Sequence, residues 1–219
     1  MAVHHRRIIP ASSRRYHFLL LLVVLVVWVW SGIGPHDTRL TWVLETAPVM
    51  IALPVILLTY RKFPLTSLTY TIMAIHAMIL MLGGHYSYAK VPLGFWMEDW
   101  FGWTRNNYDK IGHFIQGFGP TIYAREIIAR TSPLKPGKWL DTMALAVPLA
   151  FSALYEIIEW IASLSNPADT EAFLGTQGYI WDTQTDMFLC LVGSIAALIL
   201  LARLHNKYLI RALRDDEER

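Results

Sequence analysis

The chain has 219 residues, of which 54% are hydrophobic and 16% charged, with a mean hydropathy of +0.36 and a formal net charge of +2. Soluble domains carry roughly 25% charged residues, so an ordinary soluble fold is excluded. A single cysteine, Cys190, excludes an internal disulfide framework.

Residues 16–34, YHFLLLLVVLVVWVWSGIG, follow the basic groups HHRR and SRR. A basic start before an apolar run also describes a signal peptide. This run is ~18 residues long, enough to cross a bilayer, and no small-residue cleavage motif follows it, so it reads as an uncleaved first span. Further apolar segments cover about 44–60, 66–85, 111–129, 141–163 and 184–204. Each approaches the ~20 residues needed to span, and only helices satisfy their own backbone in lipid without closing a barrel. The expected fold is therefore all-α: a polytopic bundle of six transmembrane helices. It forms a single membrane domain over residues 1–219, with a basic N-terminus (1–15) and a C-terminal tail (205–219). The fourth span contains His113, Gln116 and Pro120, which suits a helix that does not face lipid all round.

The 19 Lys and Arg residues set the orientation. One side of a six-span chain receives Arg6, Arg7, Arg14, Arg15, Arg61, Lys62, Arg125, Arg130, Lys135, Lys138, Arg203, Lys207, Arg211, Arg214 and Arg219. The other receives only Arg39, Lys90, Arg105 and Lys110. Lys and Arg accumulate in cytoplasmic loops, so both termini are expected in the cytoplasm, with loops 34–43, 86–110 and 164–183 outside. This predicts a multi-pass protein of the cell inner membrane. No basic surface suggests nucleic-acid binding.

Polar residues then converge near the outer face. Asp182 and Asp186 lie four apart at the start of the sixth span, on one helix face. Asp109, His113 and Gln116 follow a similar stripe at the start of the fourth, and Ser152, Glu156, Glu159 and Ser163 share a face in the outer half of the fifth. Ionisable residues inside spans are costly and usually mark function. Trp96, Trp100, Trp103, Trp160 and Trp181 read as an interfacial aromatic belt. His76 reads as a packed helix residue, and His85 and Tyr86 as possible additions to the site. Asp182 can also cap its helix. Arg125 and Glu126 close the fourth span thirteen residues beyond His113, about 20 Å at helical rise, and read as a local ion pair or headgroup contact. Otherwise the inner halves of the spans look nearly free of charge, which counts against transport.

Asp109, His113, Glu156, Glu159 and Asp186 are the candidate catalytic groups. His113, Glu156, Glu159, Asp182 and Asp186 form a candidate ligand set for a divalent cation (Mg²⁺, Mn²⁺ or Zn²⁺), since one imidazole with several carboxylates suits these metals. Lys110, Gln116, Gln177 and Gln184 are candidate substrate contacts. Lys110 and Arg105 supply positive charge to balance the acids. A metal-free site, with a protonated Glu as acid and His113 as base, is equally coherent, as is a proton relay. No nucleophile elbow, phosphate loop or dinucleotide fingerprint is present.

The segments YDKIGHFIQGFGPTIYARE, SALYEIIEW and FLGTQGYIWDTQTDM together resemble the YjdF-like family of bacterial inner-membrane proteins, from about the second span to the end. That family carries no assigned activity. More distantly the layout is similar to the VanZ-like superfamily, linked to glycopeptide-antibiotic resistance. There a D-K-x-x-H-F segment opens one helix, a Glu lies in the next, and an Asp-containing stretch followed by a Gly opens the last. The matching positions are Asp109, Lys110, His113 and Phe114, then Glu156 or Glu159, then Asp182, Asp186 and Gly193. The resemblance implies a shared site between the fourth, fifth and sixth helices. The expected function is binding or processing of a lipid-linked or envelope substrate at an outward-facing acidic/His site. A small proton-coupled transporter and a non-catalytic interaction or stress-response protein are the alternatives.

Overall fold

The computed structural model describes residues 11–165 and 179–217 and is all helical there. Seven helices follow in order: α1 (Ala11–Ser31), α2 (Arg39–Thr59), α3 (Ser67–Tyr86), α4 (Pro92–Phe101), α5 (Tyr108–Thr131), α6 (Lys138–Ser165) and α7 (Asp182–Glu217). Five of them, α1, α2, α3, α6 and α7, are long and apolar enough to cross a membrane. The protein is a polytopic helical membrane protein. Its outer faces agree: Phe18, Leu58, Phe151 and Ile199 are all more than 60% exposed, and such surfaces need lipid rather than water.

Local chemistry sets the helix starts. Thr38 and Thr66 stand in extended conformation just before α2 and α3, and each hydroxyl accepts from the backbone N–H three residues on. These caps satisfy donors that lipid cannot. Thr38 also explains why α2 begins at Arg39, earlier than the apolar run at 44.

α5 falls short of the hydropathy of a span because it carries Asp109, Lys110, Arg125, Glu126 and Arg130. Its 24 residues still reach about 36 Å. Packing explains the tolerance: α5 lies against α3, α6 and α7, and ten of its residues are buried. Its polar groups therefore meet protein and not lipid.

The bundle has two parts joined through α3 and α5. On one side Val24, Val49, Ala74 and Met81 tie α1, α2 and α3 together. On the other, Ala129, Leu140 and Leu209 join α5, α6 and α7. Ile72, Ile122 and Ala197 make the bridge between α3, α5 and α7.

The closest contact is between α5 and α7. A Cβ at Gly117 would collide with the Cys190 carbonyl, and one at Gly193 with the Phe114 carbonyl. The two helices thus meet backbone to backbone, with Ser194 Oγ donating to the Gly117 carbonyl at 3.2 Å and to that of Cys190 at 2.9 Å. Small residues permit such approach, and close packing drives helix association in lipid.

Two helical stretches lie outside the six apolar runs. The loop at 86–110 contains a helix, α4, which begins with Pro92 in the first turn and exposes Phe95, Trp96, Trp100 and Phe101 on its surface. Residues 205–217 continue α7 without a break, and His205 and Leu209 are fully buried.

Gly193→Ala should lower the unfolding midpoint of the protein in detergent by an amount equivalent to roughly 1–3 kcal/mol or more, the usual cost of overpacking. Gly137→Ala is the control, because a Cβ there meets only the Lys135 carbonyl, at 3.9 Å. Equal midpoints would show that the glycine contact does not hold the bundle.

Candidate functional site

The α5–α7 contact sets the depth of a polar cluster one to three turns away. From Gly117, one turn back along α5 reaches His113, and one more reaches Asp109. From Gly193, two turns back along α7 reaches Asp186, and one more reaches Asp182. Asp182 and Asp186 are both buried. Asp182 is the first residue of α7, and its carboxylate is committed to cations. Arg105 Nη2 donates to Asp182 Oδ1 at 2.6 Å and lies 3.6 Å from Asp109 Oδ2. Lys110 Nζ lies 3.8 Å from Asp182 and 4.0 Å from Asp186. Both cations sit over the ring of Tyr179, at 5.0 and 5.2 Å from its centroid, an arrangement attractive to positive charge.

Nε2 of His113 lies 3.6 Å from Asp186 Oδ2, too long for a hydrogen bond. Glu156, buried on α6, completes the group and hydrogen-bonds the side chain of Thr183. One ligand atom each from His113, Glu156 and Asp186 lie within 4.8 Å of one another. Asp109, Asp182 and Asp186 form a second such triad. The two triads share Asp186, which has Lys110 4.0 Å away; the second also has Arg105 against Asp109 and Asp182. Four carboxylates, those of Asp109, Glu156, Asp182 and Asp186, thus face two permanent cations. Several polar atoms here are buried with no hydrogen-bond partner: Asp109 Oδ1, Lys110 Nζ, His113 Nδ1 and Asp186 Oδ1. Buried polar groups left unpaired cost about 1–3 kcal/mol each.

The structure therefore brings together Asp109, Lys110, His113, Glu156, Asp182 and Asp186, with Gln116 within reach of the His113 ring. Gln184 does not join them. It is exposed, two residues round the helix from the Asp182–Asp186 face. Gln177 and the side chain of Glu159 lie outside the described residues. His85 is also elsewhere: its Nδ1 contacts the Ser31 carbonyl at 3.0 Å, and its ring packs on Trp30 and His36. His76 is packed as its sequence position suggested, with Nδ1 2.9 Å from the Tyr123 hydroxyl. Tyr179 and Thr183 were not singled out from the sequence. Only their place beside Asp182 could have suggested them.

A second polar cluster occupies the other end of α5 and α7. Arg125 and Glu126 are not headgroup contacts, because both are essentially fully buried. Glu126 accepts from Thr66 N and Oγ1 at 2.8 Å each, from Thr69 Oγ1 at 2.5 Å, and from Arg130 Nη1 at 3.1 Å. Its Oε2 lies 3.4 Å from His205 Nε2. Arg125 donates to Asp141 at 2.7 Å, to Asn206 at 2.7 Å and to His205 Nδ1 at 3.2 Å. Because Arg can only donate, His205 Nδ1 accepts and its Nε2–H faces Glu126. Arg130 also reaches Asp216 at 2.7 Å. This half of the spans is consequently far from charge-free, and its buried charges, Arg125, Glu126 and Arg130, are all paired. The stripe Asp186, Cys190, Ser194, Ala197, His205, Leu209 along α7 was the available signal.

A bundle of this kind, with buried ionisable clusters at both ends of a polar central helix, defines the class as multi-pass helical membrane proteins. Residues 16–207 match the family described as "Predicted membrane protein (DUF2238)", and the chain belongs to that family. It is 47% identical over 186 residues to the inner membrane protein YjdF of Escherichia coli (strain K12), covering 85% of this chain and 88% of that protein. No solved structure matches.

Glu126→Ala should destabilise the protein by about 3–5 kcal/mol, since it strands the buried Arg130 charge and the His205 N–H. The check is a detergent melt or the folded yield after extraction. A variant as stable as the parent would show that the network carries no stability.

Proposed function

We propose that the protein spans the membrane six times with both termini in the cytoplasm. Its outward-facing site between α5, α6 and α7 then binds one divalent cation on His113, Glu156 and Asp186, and acts on a lipid-linked or envelope substrate. The observation that carries this reading is the convergence of the three ligand atoms within 4.8 Å at the same place as four buried polar atoms that lack a hydrogen-bond partner. Two carboxylates and one imidazole fit Zn²⁺, or Mn²⁺ or Mg²⁺ with added water, and three protein ligands leave a position open for substrate or water. A cation there offsets the excess of carboxylates and polarises an oxygen bound to it.

The neighbouring groups divide the remaining work. Arg105 and Lys110, stacked on Tyr179, present positive charge beside the triad and suit an anionic headgroup. Asp109, with Oδ1 unpartnered, is placed to take a proton. The depth of the site, at the outer ends of α5 and α7, is where headgroups lie in a bilayer. Its metal-free counterpart uses the same residues as acid and base.

The competing reading is proton-coupled transport. The second buried cluster, around Glu126 and His205, favours it by extending ionisable groups along α5 and α7. Against it stands the contact at Gly117 and Gly193, which leaves no room for water between the two helices midway.

Elemental analysis of protein purified without chelator should find about one divalent cation per chain. Glu156→Gln and Asp186→Asn should each reduce it at least tenfold, while Asp99→Asn, on exposed α4, should leave it unchanged. Metal content that survives both site variants sinks the metal reading.

Orientation is tested separately. Native Cys190 is buried, so the parent gives little background to a membrane-impermeant thiol reagent. Lys90→Cys should label from outside intact cells, and Gly137→Cys only after lysis. The reverse pattern would turn the site toward the cytoplasm.

A further inference from the structure

α1 and α2 both pack on α3, yet they diverge enough to leave a cavity of about 500 Å³ between them, closed at the back by α3 and by Pro120 and Tyr123 of α5. Its walls are apolar along most of their length, with Val24, Val49, Leu53 and Leu80 among them. Arg14, His17 and Tyr60 line one end, and further along the only polar pair among the described lining residues is His76 with Tyr123, bonded to each other at 2.9 Å. Pro48 and Tyr60 both line it, and twelve residues of helix separate them, about 18 Å. That is close to the depth of one leaflet in a hydrocarbon core ~30 Å thick.

The polar end is rigid and basic. His17 is fixed by Tyr60 and Ser67, at 2.9 Å each. Arg14 and Arg15 flank it on α1, and Arg61 follows Tyr60. No acid occurs between Met1 and His36, or between Thr46 and Met97, and Arg14, Arg15 and Arg61 have no acidic partner among the described residues. A long, narrow, apolar cavity with unneutralised cations at the level of the membrane surface has the charge and polarity pattern of an anionic phospholipid.

We infer that this cavity is a binding site for an anionic phospholipid, with one acyl chain lying between α1 and α2 and the phosphate at Arg14. The site is separate from the acidic cluster at the start of α5 and does not depend on what that cluster does. The chain replaces lipid-to-lipid contacts with contacts to α1, α2 and α3, and the phosphate gains the cation. The lipid thereby fills the space that the helices themselves leave between α1 and α2.

The test uses the whole protein in vesicles of phosphatidylethanolamine doped with a photoreactive-chain phosphatidylglycerol, or with phosphatidylcholine carrying the same chain. After irradiation the labelled residues are mapped by mass spectrometry. Phosphatidylglycerol should label the cavity wall around Val49, Leu53 and Leu80 at least fivefold more than the exposed face of α6 at Phe151 and Ile157. Ala52→Phe, which places a ring in the cavity, should abolish the excess. Arg14→Gln lies on an exposed surface position and keeps the fold. It should bring phosphatidylglycerol labelling down to the level of phosphatidylcholine. Equal labelling of cavity and α6, equal labelling by the two lipids in the parent, or an unchanged signal in Arg14→Gln would each overturn the inference.

Discussion

The approach of α5 to α7 through Gly117 and Gly193 is the constraint on which the rest of the structure depends. Backbone contact at the middle of two crossing helices fixes their register, and register decides which side chains meet at each end. At one end it delivers His113 to Asp186. At the other it delivers Glu126 and Arg125 to His205. Larger side chains at the crossing would separate the helices and leave both sets of polar groups facing a gap. The same contact removes α5 from lipid, which is why a helix with so many ionisable residues is tolerated inside a membrane.

The two clusters are physically different although one pair of helices builds both. Around Glu126 each donor has an acceptor, and the carboxylate is saturated by two hydroxyls, a backbone N–H, a guanidinium and an imidazole. Networks satisfied in this way rigidify and specify a packing. Around Asp186 the groups are near one another but incompletely hydrogen-bonded. Burial alone does not distinguish the two clusters; the state of hydrogen-bond satisfaction does.

Much of this was legible in the sequence, for identifiable reasons. Apolar length marks a helix in lipid, so the helices containing the six runs were readable. Four-residue spacing put Asp182 and Asp186 on one face, and an equivalent spacing joined Asp109 to His113. What escaped was whatever hydropathy does not measure. α4 begins with a proline and is built of aromatic residues, so it read only as an interfacial belt. The last turns of α7 carry Arg, Lys and His, so they read as a tail, although a helix need not be apolar once it leaves the bilayer. Glu126 looked peripheral because its partners Thr66, Thr69 and His205 lie 57 to 79 residues away along the chain. Gln184 was grouped with the site by its neighbours in sequence, where its position round the helix places it on the outside.

The unbroken length of α7 has a consequence for how this family can vary. Thirty-six residues extend about 54 Å, and the helix contributes to a polar cluster near each end with a glycine crossing between. It acts as a ruler with three fixed marks: Asp186, Gly193 and His205. Inserting or deleting one residue between any two marks would rotate the ends against each other by about 100°, turning one cluster out toward lipid. The distances between these marks cannot change without moving a cluster, so divergence between Asp186 and His205 must proceed by substitution.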